Sequence, residues 1–393
     1  MRRAILLVAS AATALVMASG VALAALSNTP DAGTVEANGR VWDILRAGDK
    51  VYLAGAFTQV TDTDGTTFSR NNLAAIDAGT GRLTSWDPSA TNPSNPSSSS
   101  VRSMALSSDG SRLYIGGTFT RVGGVGRARV AAVNAATGVV DAAWKTSANK
   151  PVHALAASGS RVYLGGEFTT VGGQPRERLA AVSPSTGALD STWMPSARRG
   201  DGGACAVRAL EVSSDGARLY AGGTFNQIGD ARTGRLAALD ALTGSVVPGF
   251  QQNYPNIVLA LDVSGSQLYV GTGDPLEGVE ALDATTGKAH WSVGSGHPDA
   301  AAGDVQAVAV EGGTVYAGGH FAQFGKQKLV RKRLVELDAA TGEIGPWAPA
   351  VAGGNLGVWA LETDAARGRL YAGGDFTKIG GVEYQRFARF SGL

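Results

Sequence analysis

Seven side chains occupy one position of a recurring sequence pattern: Trp42, Arg102, His153, Arg208, Leu259, Gln306 and Trp359, each directly after the first valine of its unit. Two indoles offer stacking area to a sugar ring, two guanidinium groups can grip an anion, and a histidine and a glutamine add hydrogen bonds. A second recurring position, inside a GGxF-like pattern, holds Ala56, Thr118, Glu167, Thr224, Gly273, His320 and Asp375. Glu167, His320 and Asp375 therefore join the candidate ligand-binding residues. With His153 they are also the groups an acid–base enzyme would use, on condition that a carboxylate pair lies within roughly 5 to 10 Å.

Other chemistry has no local support. The sequence contains no HExxH, CxxC, GxSxG or Walker-type pattern, the signatures of zinc, serine-hydrolase and phosphate-loop sites. Asp62 and Asp64 in TDTDG lack the remaining positions of a calcium loop and read as a solvated turn. His153, His290, His297 and His320 fall at unrelated offsets, so neither a metal site nor a cofactor is expected, and no catalytic residue is assigned. The single cysteine, Cys205, excludes an intramolecular disulfide.

The elements that must position the two sets are copies of one unit. LYIGGTFTRVGG from Leu113 returns as VYLAGAFTQV from Val51, VYLGGEFTTVGG from Val162, LYAGGTFNQIGD from Leu219, VYAGGHFAQFGK from Val315 and LYAGGDFTKIGG from Leu370, with a degenerate copy at Leu268. The period averages about 53 residues, the length of a propeller blade. Residues 207–250 show four short apolar segments, VRALEV, RLYAGGTF, RLAALD and SVVPGF, separated by turn residues and without helical periodicity. The expected fold is all-β: a seven-bladed β-propeller of four-stranded antiparallel blades starting near 41, 101, 152, 207, 258, 305 and 358. The last unit stops at its third segment, while LSNTPDA from Leu26 aligns with LTSWDPSA from Leu83. The N-terminal strand is therefore expected to close the ring and remove a free sheet edge.

Within each unit the Asp, Asn or Ser that opens the turn between third and fourth segments (Asp77, Asn134, Ser183, Asp240, Asp283, Asp338) reads as a turn former closed by a glycine. The aromatics ending the fourth segment, Trp86, Trp144, Trp193, Phe250, Trp291 and Trp347, read as packing between blades. Paired glycines such as Gly116-Gly117 suit a bulge or a close backbone approach. A recurring arginine before the third segment (Arg129, Arg178, Arg235, Arg333, Arg386) reads as structural. The connections between second and third segments, and from the fourth to the next unit, look long and variable. They emerge on one face, where recognition is expected.

LYxGGxFTxVGG followed by RLAALDxxTGxW resembles the delta-60-type β-propeller repeats of secreted bacterial proteins, across nearly the whole chain after residue 24. QLYVGTGDPLEGVEALDATTGKAHW, from Gln267, looks more like a quinoprotein-type repeat. These resemblances imply a fold and no common reaction or ligand.

Composition agrees with a folded soluble domain, 44% hydrophobic and 17% charged. The net charge of +1 creates no field that would draw nucleic acid or an anionic membrane. Residues 1–24, with Arg2-Arg3, an apolar run and Ala22 and Ala24 as an A-x-A site, read as a cleaved signal peptide, which places one domain over 25–393 outside the cell. The leading expectation is a secreted, non-catalytic binding module for a glycan, a cell-envelope polymer or a protein. A propeller lyase or glycosidase and a purely adhesive scaffold are the alternatives. Oligomeric state is open.

Overall fold

A computed structural model describes residues 25–251, 253–296, 303–355 and 357–392. Residues 1–24, read above as a signal peptide, and His297 lie outside them. No helix among the described residues is long and apolar enough to cross a membrane.

The chain is all-β. Its repeats fold into antiparallel sheets whose strands follow sequence order across the sheet, three strands in six of them and more in the fifth. Sheet I holds Arg40–Ala47, Lys50–Ala56 and Leu73–Asp77; sheet II holds Val101–Leu106, Arg112–Gly117 and Val130–Asn134. Sheet III holds Val152–Ala157, Val162–Gly166 and Leu179–Val182; sheet IV holds Val207–Val212, Arg218–Gly223 and Leu236–Asp240. Sheet V holds Val258–Ser264, Gln267–Thr272 and Gly278–Asp283, with a fourth strand, Ala289–Gly296. Sheet VI holds Val305–Glu311, Thr314–Gly319 and Leu334–Asp338; sheet VII holds Val358–Asp364, Arg369–Gly374 and Phe387–Ser391. The first strand of each sheet packs on the first strand of the next, and that of sheet VII packs on that of sheet I. This is a propeller-type arrangement with the first strands innermost.

The fourth segment differs from the four-stranded expectation. In sheets I, II, III, IV and VI it attaches by a single bridge, such as Val133 to Val140 or Leu239 to Val246. A tight turn precedes it, and the same turn precedes the complete fourth strand of sheet V, so the turn alone does not set the difference. Asp77, Asn134, Asp240, Asp283 and Asp338 each accept the amide of the threonine three residues on, at 2.7 to 2.8 Å, and the closing glycine takes a positive φ, so the chain turns tightly. The aromatic that follows fills the seam to the next sheet. Trp144 is fully buried, lies 5.5 Å from Tyr114 and donates to the Ser183 carbonyl of sheet III's turn at 3.1 Å. The tyrosines of the second strands cross the same seams, as Tyr114 does to the Pro184 carbonyl at 2.7 Å.

The paired glycines make two close approaches. A side chain at Gly116 would collide with Val152 of sheet III at 2.7 Å, and one at Gly117 would meet the Ser100 carbonyl at 2.1 Å. The first glycine thus seats the neighbouring sheet and the second admits its own chain. Gly373 seats Val41 in the same way, fixing sheet VII against sheet I.

In six of the seven sheets the connections between second and third strands are regular, which corrects the expectation of variable loops there; in sheet V residues 273–277 join the two strands directly. Gln59–Thr61 with Thr67–Ser69, Arg121–Val122 with Val125–Gly126, and their counterparts in sheets III, IV, VI and VII are short hairpins. The buried Val122, Val171, Ile228, Phe324 and Ile379 pin them down. Asp62 and Asp64 are also not merely solvated: both bind Arg82, Asp62 at 3.0 Å.

The recurring arginines are structural, as expected. Arg129, Arg178, Arg235 and Arg386 donate to the carbonyls of Ala148, Ala197, Pro255 and Phe376 at 2.7 to 3.0 Å, and Arg333 donates to that of Gly353. Four of them, Arg129, Arg178, Arg333 and Arg386, also have φ between 66° and 73°, a left-handed conformation that costs a non-glycine residue about 1 kcal/mol or more.

The N-terminal segment lies along the end of sheet VII. Leu26 bridges Gly392, the Ser27 amide donates to the Ser391 carbonyl at 3.1 Å, and the Asp31 carboxylate binds Arg389 at 2.7 Å. Trp347 of the preceding unit donates to the Ser27 carbonyl at 2.9 Å.

Candidate functional site

All seven first strands carry a β-bulge at the same place. Pairing passes from Val41 to Asp43, from Val101 to Ser103, from Val152 to Ala154, from Val207 to Ala209, from Val258 to Ala260, from Val305 to Ala307 and from Val358 to Ala360. The skipped residues are Trp42, Arg102, His153, Arg208, Leu259, Gln306 and Trp359. A bulge leaves its extra residue out of the ladder and re-aims its side chain. Here all seven line a single cavity of about 420 Å³ at one end of the channel, together with Thr224, Ile257, Gly273, Asp274 and Asp304. The structure therefore brings the first sequence-derived set together.

The second set is mostly elsewhere. Only Thr224 and Gly273 line the cavity. Asp375 holds Arg40 at 3.1 Å and receives the Gly357 amide at 2.8 Å, which makes it an anchor for the strand entry. The His320 amide donates to the Asp304 carbonyl at 2.8 Å, and its ring is not among the cavity-lining groups. Glu167 reaches the site through His153, whose Nε2 lies 2.8 Å from its carboxylate.

The electrostatics of that pair are asymmetric. Burial first, and then the Arg102 and Arg208 charges, hold the His153 imidazole below its usual range. Burial pushes Glu167 up, but the bond to His153 and the same two arginines outweigh it, so the carboxylate stays ionised. A neutral His153 donating from Nε2 carries a lone pair on Nδ1, and that atom is buried without a partner.

The indoles do not form a flat platform. Trp42 and Trp359 meet edge to face, with centroids 4.5 Å apart and planes at 69°. The guanidinium groups of Arg40 and Arg102 sit 4.5 and 4.7 Å from the Trp42 ring centre. Cation–π contact thus occupies Trp42 and holds Arg102 in place. Burial lowers the Arg102 pKa, and Arg208 lowers it further, so two positive charges share the mouth. Neither has an ion pair among the described residues.

Polar atoms without partners concentrate here. The indole nitrogens of Trp42 and Trp359, Arg102 Nε, His153 Nδ1 and Gln306 Oε1 are all buried and unsatisfied, and Gln306 is only 7% exposed. Such atoms each cost about 1–3 kcal/mol unless something bonds them. Sequence reasoning missed Asp274 and Asp304, which lie just outside strands and carry no repeat signal. Among the described residues no group of three or more metal-ligating side chains converges.

The channel beyond the mouth is acidic. A second cavity of about 440 Å³ is lined by Asp43, Glu211, Asp262 and Glu362 among others. Three of these staple adjacent sheets: Asp43 accepts the Met104 amide at 2.6 Å, Asp262 that of Val310 at 2.7 Å, and Glu362 that of Arg46 at 2.8 Å. Burial is the main cause that pushes Asp43 and Asp262 up to about 7 and Glu211 and Glu362 up to about 8.

Residues 175–357 match the family model described as outer membrane protein assembly factor BamB. That match carries a quinoprotein-type repeat over the central part of the chain. Among solved structures, the WD40 β-propeller domain of Doa1 is similar with a TM-score of 0.53 and 13% identity, covering 91% of this chain and 96% of its own. The computationally designed Ika8 protein is similar with a TM-score of 0.50 and 15% identity, covering 91% and 92%. At these identities the likeness concerns the fold. No curated protein matches the chain.

Proposed function

We propose that this protein is a secreted, non-catalytic binding module, a seven-bladed propeller whose ligand enters the channel mouth. Its repeats are read as delta-60-type, with the fourth segments as blade edges and the Leu26 segment as the strand that closes the ring. Secretion is tested by mass spectrometry of exported protein: an N-terminus at Ala25 supports it, and retained residues 1–24 oppose it.

The observation that carries the reading is the ring of bulges. Seven sheets each divert one residue from the ladder, and all seven of those side chains line one cavity that contains five unsatisfied polar atoms. A cavity of about 420 Å³ is within the size range of small-molecule sites. It accepts a small polar molecule or the terminal unit of a glycan, a cell-envelope polymer or a protein.

The test is a binding screen of such compounds against the full chain and two variants. Arg208 is exposed, so Arg208→Gln removes a mouth charge without opening the core. Trp359→Ala removes one indole edge. Each is expected to weaken binding by about 1 to 3 kcal/mol with little change in melting temperature. Ligands that bind both variants as tightly as the unaltered chain would remove the mouth from consideration.

A further inference from the structure

The mouth is not uniformly basic. Arg102, Arg208 and the neutral His153 come from sheets II, IV and III, which follow one another around the channel, whereas Asp274 and Asp304 stand together where sheets V and VI enter it. Asp304 lies against Gly273: its Oδ1 is 2.8 Å from where a side chain there would begin, so a larger residue would push the carboxylate aside. Burial raises the Asp304 pKa and Asp274 raises it further, with no cation offsetting either. Arg102 is perturbed by Arg208, Glu167 and Arg40 and not by these aspartates. The two walls therefore keep their separate charges across one cavity instead of neutralising each other.

The unsatisfied atoms supply both kinds of hydrogen bond, although not wall by wall, since the acceptor His153 Nδ1 stands beside the arginines. Arg102 Nε and the two indole nitrogens are donors, suited to a carboxylate. Gln306 Oε1 and His153 Nδ1 are acceptors, suited to an ammonium group. A cavity of about 420 Å³ has the volume of a cube about 7.5 Å on edge, and an extended chain advances about 3.5 Å per residue. Two residues span it.

Resting on the mouth as the binding site, we infer that its ligand is a small zwitterion of dipeptide size, with its carboxylate held by Arg102 and Arg208 and its ammonium group by Asp274 and Asp304. A neutral sugar would leave both walls uncompensated, and a simple anion would satisfy only one.

Calorimetric titration of the full chain tests this with four probes: alanylalanine, its N-acetyl derivative, its C-terminal amide, and N-acetylglucosamine. Alanylalanine is expected to bind saturably, and capping either end is expected to weaken it by about ten- to hundredfold, the worth of a hydrogen-bonded charge. In Arg102→Gln the penalty for the amide should shrink, Arg208 remaining, while that for the N-acetyl form is unchanged; Asp304→Asn should do the reverse. The capping series on the unaltered chain stands even if a variant fails to fold. Capped and uncapped dipeptides binding equally, with all of them weakened in Trp359→Ala, would overturn the zwitterion and keep the mouth. N-acetylglucosamine binding alone, again lost in Trp359→Ala, would do the same. Probe binding that no mouth variant alters, or no saturable binding by any of the four, would overturn both.

Discussion

Trp144 and Trp359 show how one residue type does two jobs. Trp144 is fully buried in a seam between sheets and spends its indole N–H on the Ser183 carbonyl. Trp359 sits at a bulge, partly exposed, with its N–H unsatisfied. Trp144→Ala should cost roughly 3 to 5 kcal/mol of folding free energy through the cavity left behind, whereas Trp359→Ala should cost much less. Urea denaturation of the two variants measures the difference; equal losses would mean that the mouth indoles are core. The sequence distinguished these two tryptophans because each falls at its own offset in the repeat. It could not show that Arg102 lies against Trp42, since residues 60 positions apart meet there through side-chain rotamers that no periodicity records. Asp304 was illegible for the same reason: its place depends on the missing side chain of Gly273.

At the level of elements, the N-terminal segment is held less by its short ladder than by one carboxylate. Asp31 binds the Arg389 guanidinium and receives the Ser391 amide and hydroxyl, and its carbonyl accepts from Tyr384. Arg389 is only 8% exposed. Asp31→Ala strands a buried cation and should lower stability by about 3 kcal/mol or more. Adding Arg389→Met should restore part of that loss, and melting curves of the single and double variants check it; no recovery would place the effect elsewhere in the segment. The alignment of LSNTPDA with LTSWDPSA made this pairing legible, although not the role of Asp31, whose counterpart in the first unit is Ser89. The short hairpins between second and third strands were misjudged as variable. Their signal was present in Val122-Gly123-Gly124 and its copies, in which the apolar residue is buried and Gly123 and Gly124 take positive φ, while the residues between hairpins differ enough to look like irregular loops.

The whole ring is threaded by the acidic channel, which sequence reading passed over because Asp43, Glu211, Asp262 and Glu362 are isolated acids in otherwise apolar strands. Their raised values set a pH dependence. An unfolded chain ionises these groups near pH 4, whereas the folded protein keeps them protonated to about 7 or 8. The folded state therefore binds more protons, and stability falls as pH rises until these groups ionise. His153, held neutral, acts oppositely below about pH 6.5, so the clean window is pH 6.5 to 8. Melting temperature should fall across that window. Glu211→Gln should flatten the slope, because burial and the nearby Asp262 charge raise that carboxyl and no neighbouring sheet donates to it. An unchanged slope would show that channel water relieves the burial. The seven bulges have a further consequence. Each leaves one residue outside the pairing scheme, so what lines the mouth and what pairs the sheet are written at different addresses in the same strand. Leu259 is an address now holding an apolar side chain, and rewriting it leaves every ladder bond of its sheet untouched. Where a mouth residue makes no ring or ion-pair contact with the rest, as Leu259 makes none among the described residues, the lining can be changed like one key of a keyboard; Trp42, Trp359 and Arg102, which touch, change together.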